Sequence, residues 1–134
     1  MFEKIDYGDL NSRQKENYKF QKIAGELADY GYNCLRLNDD WQGADFLAVH
    51  VDGRTSLKVQ VKGLFTLDMK YVGKEIYIAF WSGADCYVYP HDTIKDAILA
   101  RGEISKTKSW SEKGIYTWPS LPRWALDLLV PYRI

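Results

Sequence analysis

The chain has 134 residues, of which 46% are apolar, enough for one domain with one core. Its formal net charge is zero, so no global field draws it towards nucleic acid. Cys34 and Cys86 stand alone, with no CxxC and no histidine at zinc spacing, which excludes a disulfide scaffold and a zinc finger and leaves two small buried thiols in a reducing compartment.

Asn11 or Ser12 can cap a helix that runs to about Tyr30, with Phe20, Ile23, Leu27 and Tyr30 as its apolar stripe and Gly31 as its stop. Asn33 to Leu37 reads as a short strand, and Asn38-Asp39-Asp40 as a polar turn leading to Trp41. A hairpin follows, with strands expected over about 44–51 and 55–62. Asp52-Gly53 between two runs of strand-forming residues predicts a two-residue type I′ turn. Residues 64–73 are a connector without a clear signal. EIYIAFW (75–81) and DCYVY (85–89) predict two more strands, joined at Ser82-Gly83. Asp92 is expected to cap a helix from Thr93 to about Ala100. Residues 101–119 read as a loop, and Arg123 to Leu129 as a last helix stopped by Pro131. The order fits a mixed α/β sandwich with a central sheet flanked by helices. The expected layout is one domain over 1–134, with a core over 11–100 and an accessory C-terminal segment over 101–134.

The hairpin carries the chemistry. A two-residue turn pairs Val51 with Arg54, so that Asp45 falls opposite Gln60 and Gly43 opposite Lys62. Opposed residues share a face, with Cβ atoms about 4.5–5.5 Å apart, and residues two apart on a strand share it too. Asp45, Gln60 and Lys62 therefore converge. Phosphodiester cleavage needs an activated water and neutralisation of the transition state. Mg²⁺ or Mn²⁺ supplies much of this and prefers oxygen donors. Asp45, the Gln60 amide oxygen and the Val61 carbonyl are the expected metal ligands, with Lys62 serving the water or the developing charge. Glu16 is nominated as a further ligand. It lies about 20° from Ile23 around the helix and should point at the sheet, whereas Gln21 at about 160° should face solvent and Glu26 at about 60° flanks the stripe.

Charge is uneven along the chain. Residues 1–52 hold ten acids against six bases, whereas residues 53–74 hold Arg54, Lys58, Lys62, Lys70 and Lys74 against Asp68 alone. That is a modest local footprint for a phosphate backbone. Other aromatics and histidines are weaker signals. His91 beside Asp92 reads as a turn and helix cap. His50 should lie on the hairpin face away from Asp45. Trp41 and Gln42 precede the site, where packing or base contact is open to them. Trp110, Trp118 and Trp124 among Lys106, Lys108 and Lys113 read as aromatics packed on the sheet or as a partner surface.

Glu16, then Gly43-Ala44-Asp45, a hairpin and Gln60-Val61-Lys62 together resemble the PD-(D/E)XK, or restriction-endonuclease-like, nucleases. The stretches ENYKFQKIAGELADYGY, DDWQGADF, LKVQVKG and YVYPHD are similar to an uncharacterised bacterial and phage-associated group of them. The resemblance covers about two thirds of the chain. It implies a core of helix, three strands, helix and strand, and a Mg²⁺- or Mn²⁺-dependent endonuclease acting on DNA. Asp45, Gln60, Lys62 and Glu16 would be its catalytic residues, and Asp45, Gln60, Val61 and Glu16 its metal ligands. Three departures stand out: no clear helix after the third strand, Gly-Ala before Asp45 in place of the signature Pro, and Gln60 in place of Asp or Glu. The last removes a negative charge from the metal site. The alternative is therefore an inactive module of the same fold that binds nucleic acid or a protein partner. An antitoxin-like protein binding through its aromatic C-terminal face is a third reading. The N-terminus is polar and acidic, and there is no run of about 18 apolar residues. A cytoplasmic protein without a membrane partner is expected, and a sheet edge in so small a domain invites a homodimer.

Overall fold

In the computed structural model all 134 residues are described, the side chain of Asp40 excepted. Helix α1 spans Ser12–Ala28. Asn11 is its cap: the side chain accepts from the Gln14 amide at 2.8 Å, and Gln14 Oε1 accepts from the Asn11 amide at 2.9 Å. This reciprocal pair satisfies two of the N–H groups that a helix start leaves open.

The strands are β1 (Tyr32–Trp41), β2 (Ala44–His50), β3 (Ser56–Val61), β4 (Phe65–Asp68), β5 (Ile76–Ser82), β6 (Asp85–Pro90) and β7 (Ile115–Trp118). Five of them form one sheet in the order β1-β2-β3-β5-β6, in which only β3 and β5 are parallel neighbours. The expected mixed α/β fold, a central mixed sheet flanked by helices, is thus present. Where the resemblance implies a helix after the third strand, this chain places β4 and a single 3₁₀ turn, Met69–Tyr71.

Alternation decides which side chains meet which layer. Phe46, Ala48, Val59, Ala79, Cys86 and Val88 share one face and pack against Ile23 and Leu27 of α1. Each fully buried Ile or Leu contributes about 1.5–3 kcal/mol by leaving water. Ile78, Phe80, Tyr87 and Tyr89 point the other way, against Phe65, Leu67, Ile94, Ile98, Trp118, Ala125 and Leu129. These partners come from β4, from β7, and from helices α2 (His91–Leu99) and α4 (Arg123–Leu129).

The structure corrects several boundaries. Strand β1 extends through the polar Asn38-Asp39 to Trp41 because β2 supplies it with an antiparallel partner across a register shift between Arg36 and Trp41. Residues 101–119 are not a plain loop. They hold helix α3 (Lys108–Lys113) and β7, which pairs with β4 through Phe65↔Trp118 and Leu67↔Tyr116. Helix α2 starts at His91, and its cap position is Pro90, which offers no side-chain hydrogen bond. Asp92 serves elsewhere: it accepts from the Gly73 amide at 2.9 Å and pairs with His91.

The hairpin turn is longer than expected, yet the register is the expected one. The His50 amide donates to the Thr55 carbonyl at 2.9 Å, leaving a four-residue loop, Val51 to Arg54. Asp52 braces this loop by accepting from the Arg54 and Thr55 amides and the Thr55 hydroxyl. Those bonds hold its carboxyl well below the usual carboxylate range. One residue added on each side of Asp52-Gly53 leaves the parity unchanged. Phe46 therefore faces Val59 and Leu47 faces Lys58, as a two-residue turn would also have placed them.

Candidate active site

Hydrogen-bonded pairs alternate along an antiparallel ladder. The His50 amide bond to Thr55 fixes the phase, so the Val61 amide should be directed at β2 near Ala44. It donates instead to Asp45 Oδ2, at 2.9 Å. The last regular Cα pair of the β2–β3 ladder is Phe46↔Val59. Beyond it the carboxylate takes the place of a backbone acceptor at the end of the hairpin. The next amide, Lys62, turns to the other neighbour and donates to the Ala79 carbonyl at 2.9 Å, which anchors the end of β3 to β5.

A cleft of about 280 Å³ opens there, lined by Glu16, Lys19, Phe20, Arg36, Asp45, Gln60, Val61, Lys62 and Gly63. Asp45, Gln60 and Lys62 are all half-buried. The structure thus brings the four nominated side chains to one cavity. The Gln60 amide nitrogen is 3.4 Å from the Val61 carbonyl. The Lys62 ammonium lies 5.3 Å from the centre of the Tyr71 ring, which Lys70 also approaches, at 5.1 Å. Tyr71 is buried and packs against Gly43, where a Cβ would come within 3.2 Å of the ring.

Glu16 is the correction. Its side chain is 71% exposed and turns to Arg36, with 3.9 Å between Oε2 and the guanidinium. The expected inward bearing does not bury it: it lines the cleft from α1 and stays open to solvent. It stands at the rim of the cleft and is not buried against β-strands. Arg36 itself is held by Asn17 Oδ1 at 3.2 Å and by the Phe20 ring beneath it, 5.4 Å away.

Lys19 and Arg36 are cleft residues that the sequence pattern did not flag. The signal that would have found Arg36 is its pairing with Phe46. That register puts it on the face covered by α1, one turn from Glu16. It could not be read without knowing how β1 aligns with β2. His50 lies away from the cleft, with Nε2 3.1 Å from the Tyr30 carbonyl. His91 is buried and its Nε2 accepts from the Asp68 amide at 3.0 Å, so its Nδ1 carries the proton and donates to Asp92 Oδ1 at 2.9 Å. It ties α2 to the connection after β4.

The donor set can be tested against a metal. Asp45, the Gln60 amide and the Val61 carbonyl are hard oxygen donors of the kind Mg²⁺ and Mn²⁺ accept, with Glu16 at the rim. Among the described residues no group of three Asp, Glu, His or Cys side chains is placed to hold an ion. A hard divalent cation held by these donors would have to keep several waters, as Mg²⁺ commonly does. Lys19, Arg36 and Lys62 add positive charge around the same cleft, which suits a phosphate brought beside the ion.

No family model matches the chain, and no curated protein matches it. Among solved structures, that of Hjc, a Holliday junction resolvase of the archaeal hyperthermophile Archaeoglobus fulgidus, is similar: 22% identity, TM-score 0.46, covering 58% of this chain and 74% of that one. At that identity and score the likeness assigns no activity. No helix among the described residues is long and apolar enough to cross a membrane.

Proposed function

We propose that this protein is a metal-dependent nuclease that hydrolyses DNA phosphodiester bonds in the cleft at the end of the β2–β3 hairpin. The observation that carries this reading is the meeting of Asp45, Gln60 and Lys62 in one half-buried cleft. Asp45, Gln60 and the Val61 carbonyl would hold Mg²⁺ or Mn²⁺, with Glu16 reaching it from the rim. When bound, such an ion polarises the phosphate and lowers the pKa of a coordinated water. The chain's own groups do the rest. Asp45 is positioned by the Val61 amide, which fixes one of its oxygens. Lys62, its ammonium over the Tyr71 ring, orients the attacking water or stabilises charge on the phosphate oxygens. Lys19 and Arg36 attract and hold the phosphate. The cytoplasm is the proposed location, and 1–134 the proposed single domain, in which 101–134 packs onto the nuclease-like core of 11–100 and completes its buried cluster.

The neutral Gln60 supports a second reading, an inactive module of the same fold that keeps the cleft for binding. Calorimetric titration of Mn²⁺ and Mg²⁺ into wild type and Asp45→Asn, with cleavage of plasmid and single-stranded DNA followed in the same buffers, separates the two. Metal binding and cleavage that are both lost in Asp45→Asn support the nuclease. DNA binding without metal binding at millimolar ion supports the module. A Gln60→Glu variant should bind Mn²⁺ more tightly than wild type, because it restores a carboxylate to the ion's shell.

A further inference from the structure

The turn between β1 and β2 sets an aromatic ring beside the site. Gln42 has φ 52° and Gly43 has φ 87°, and Trp41 pairs with Ala44 across them. Two successive left-handed residues are what a two-residue type I′ turn requires. Glycine suits its position, but glutamine adopts such a φ unfavourably. The turn leaves Trp41 50% exposed. Lys58 reaches across to it from β3: its ammonium donates to Gln42 Oε1 at 3.2 Å and lies 5.9 Å from the centre of the Trp41 ring.

Trp41 and Lys58 line a second cleft, of about 680 Å³, with Leu47, Tyr77 and Asp92 among its other walls. Leu47 pairs with Lys58. That pair is one step along the same strand face from Asp45 and Gln60, a distance of about 7 Å.

We propose that Trp41 is a stacking platform for a base of single-stranded nucleic acid, with Lys58 taking a neighbouring phosphate. The role of this strand as a substrate guided to Asp45 rests on the nuclease reading; the platform itself does not. Charge favours this occupant. Zero net charge gives no overall attraction to the phosphates of a duplex. Stacking supplies affinity without charge and tolerates any base. In a duplex both faces of a base are already covered, so an indole at this position has nothing to stack on. Glu75 and Asp92 also line this cleft and repel phosphates, which leaves Lys58 as the cation to receive them.

The test uses the full chain carrying Asp45→Asn, in EDTA, with fluorescently labelled oligo(dT) followed by anisotropy and tryptophan emission followed in parallel. Adding W41A should weaken oligo(dT) binding about 5- to 150-fold, the range that base–aromatic stacking supplies. W41F keeps a ring and should bind within a few-fold of the parent while losing the part of the tryptophan quenching that Trp41 contributes. Circular dichroism of both variants establishes that they are folded. The proposal is overturned if folded W41A binds as tightly as its parent, if the parent does not bind oligo(dT), or if it binds only a duplex of the same sequence. Cleavage by the chain with Asp45 intact, in Mn²⁺, is scored separately. Trp41-dependent binding without cleavage upholds the platform and overturns the nuclease reading. Cleavage with Trp41-independent binding does the reverse.

Discussion

Asp45 has two tasks: it lines the cleft and it accepts the Val61 amide hydrogen bond that closes the end of the hairpin. Substitutions separate the two. Asp45→Asn keeps an oxygen for the amide and should abolish cleavage with little change in stability. Asp45→Ala removes the acceptor from a half-buried donor and should cost about 1 kcal/mol in addition, the low end for an unsatisfied group. Urea unfolding of both variants beside a cleavage assay checks this. Equal stability of the two would mean that the Val61 amide finds water at no cost. Gly43 is a second residue with a sharp expectation. Its φ is 87°, and a Cβ there would meet the Tyr71 ring at 3.2 and 3.3 Å. Gly43→Ala should destabilise by about 1–3 kcal/mol, combining left-handed strain with displacement of the ring. Because the same ring carries Lys62, cleavage should fall as well. The two cysteines play no such part: burial pushes the Cys86 thiol up to about 12 and raises Cys34 too, which makes both poor nucleophiles.

At the scale of elements, the connection from β3 to β5 decides whether the cleft stays in shape. It is a short strand and a 3₁₀ turn, not the helix that the family pattern implies, and it depends on long-range partners. His91 is one of them. It faces Asp68, Asp92, Lys95 and the Tyr71 ring, and it accepts the Asp68 amide bond only while Nε2 is unprotonated. Burial holds its pKa below the usual histidine value, against the upward pull of Asp92. The unfolded chain therefore takes up this proton at higher pH than the folded one does. Stability from this group is complete above about pH 6.5 and declines as pH falls below it. Asp92, whose pKa lies below the ordinary carboxylate value because of the Gly73 amide and His91, adds a loss of the same sign at lower pH. The melting temperature should drop between pH 7 and 5, and His91→Gln should flatten that drop while lowering the starting value. An unchanged pH profile in His91→Gln would remove His91 from this role.

For the whole molecule, the C-terminal segment is part of the core on one side of the sheet. Ile104, Trp118, Ala125 and Leu129 are buried in the cluster that holds Ile78, Phe80, Tyr87 and Tyr89. β7 also provides the partner strand for β4. Truncation after residue 103 strips that face of its cover and leaves β4 unpaired. It should abolish the cooperative unfolding transition, and with it any metal response. Trp118 packs on Phe65 at 4.6 Å between ring centres and so belongs to this cover. A truncated chain that melts cooperatively and still binds Mn²⁺ would overturn this view.

The sequence by itself determined what depends on neighbours along the chain. The helix start at one of the two offered caps, Asn11, the helical period of Ile23 and Leu27, and the alternation of Leu57, Val59 and Val61 are local signals that the structure follows. The pairing of Phe46 with Val59 followed from turn position and parity, and it survived a longer loop because two added residues conserve parity. Only the tertiary structure decided the rest, because those features depend on segments far apart in sequence. Trp118 and Phe65 are 53 positions apart, and nothing local marks either stretch as the other's partner. Arg36 reaches the cleft through its register with β2, and Glu16 is exposed because the helix bearing fixes a direction but not what lies along it. Composition gave a core of sufficient size, whereas packing chose which aromatic rings fill it.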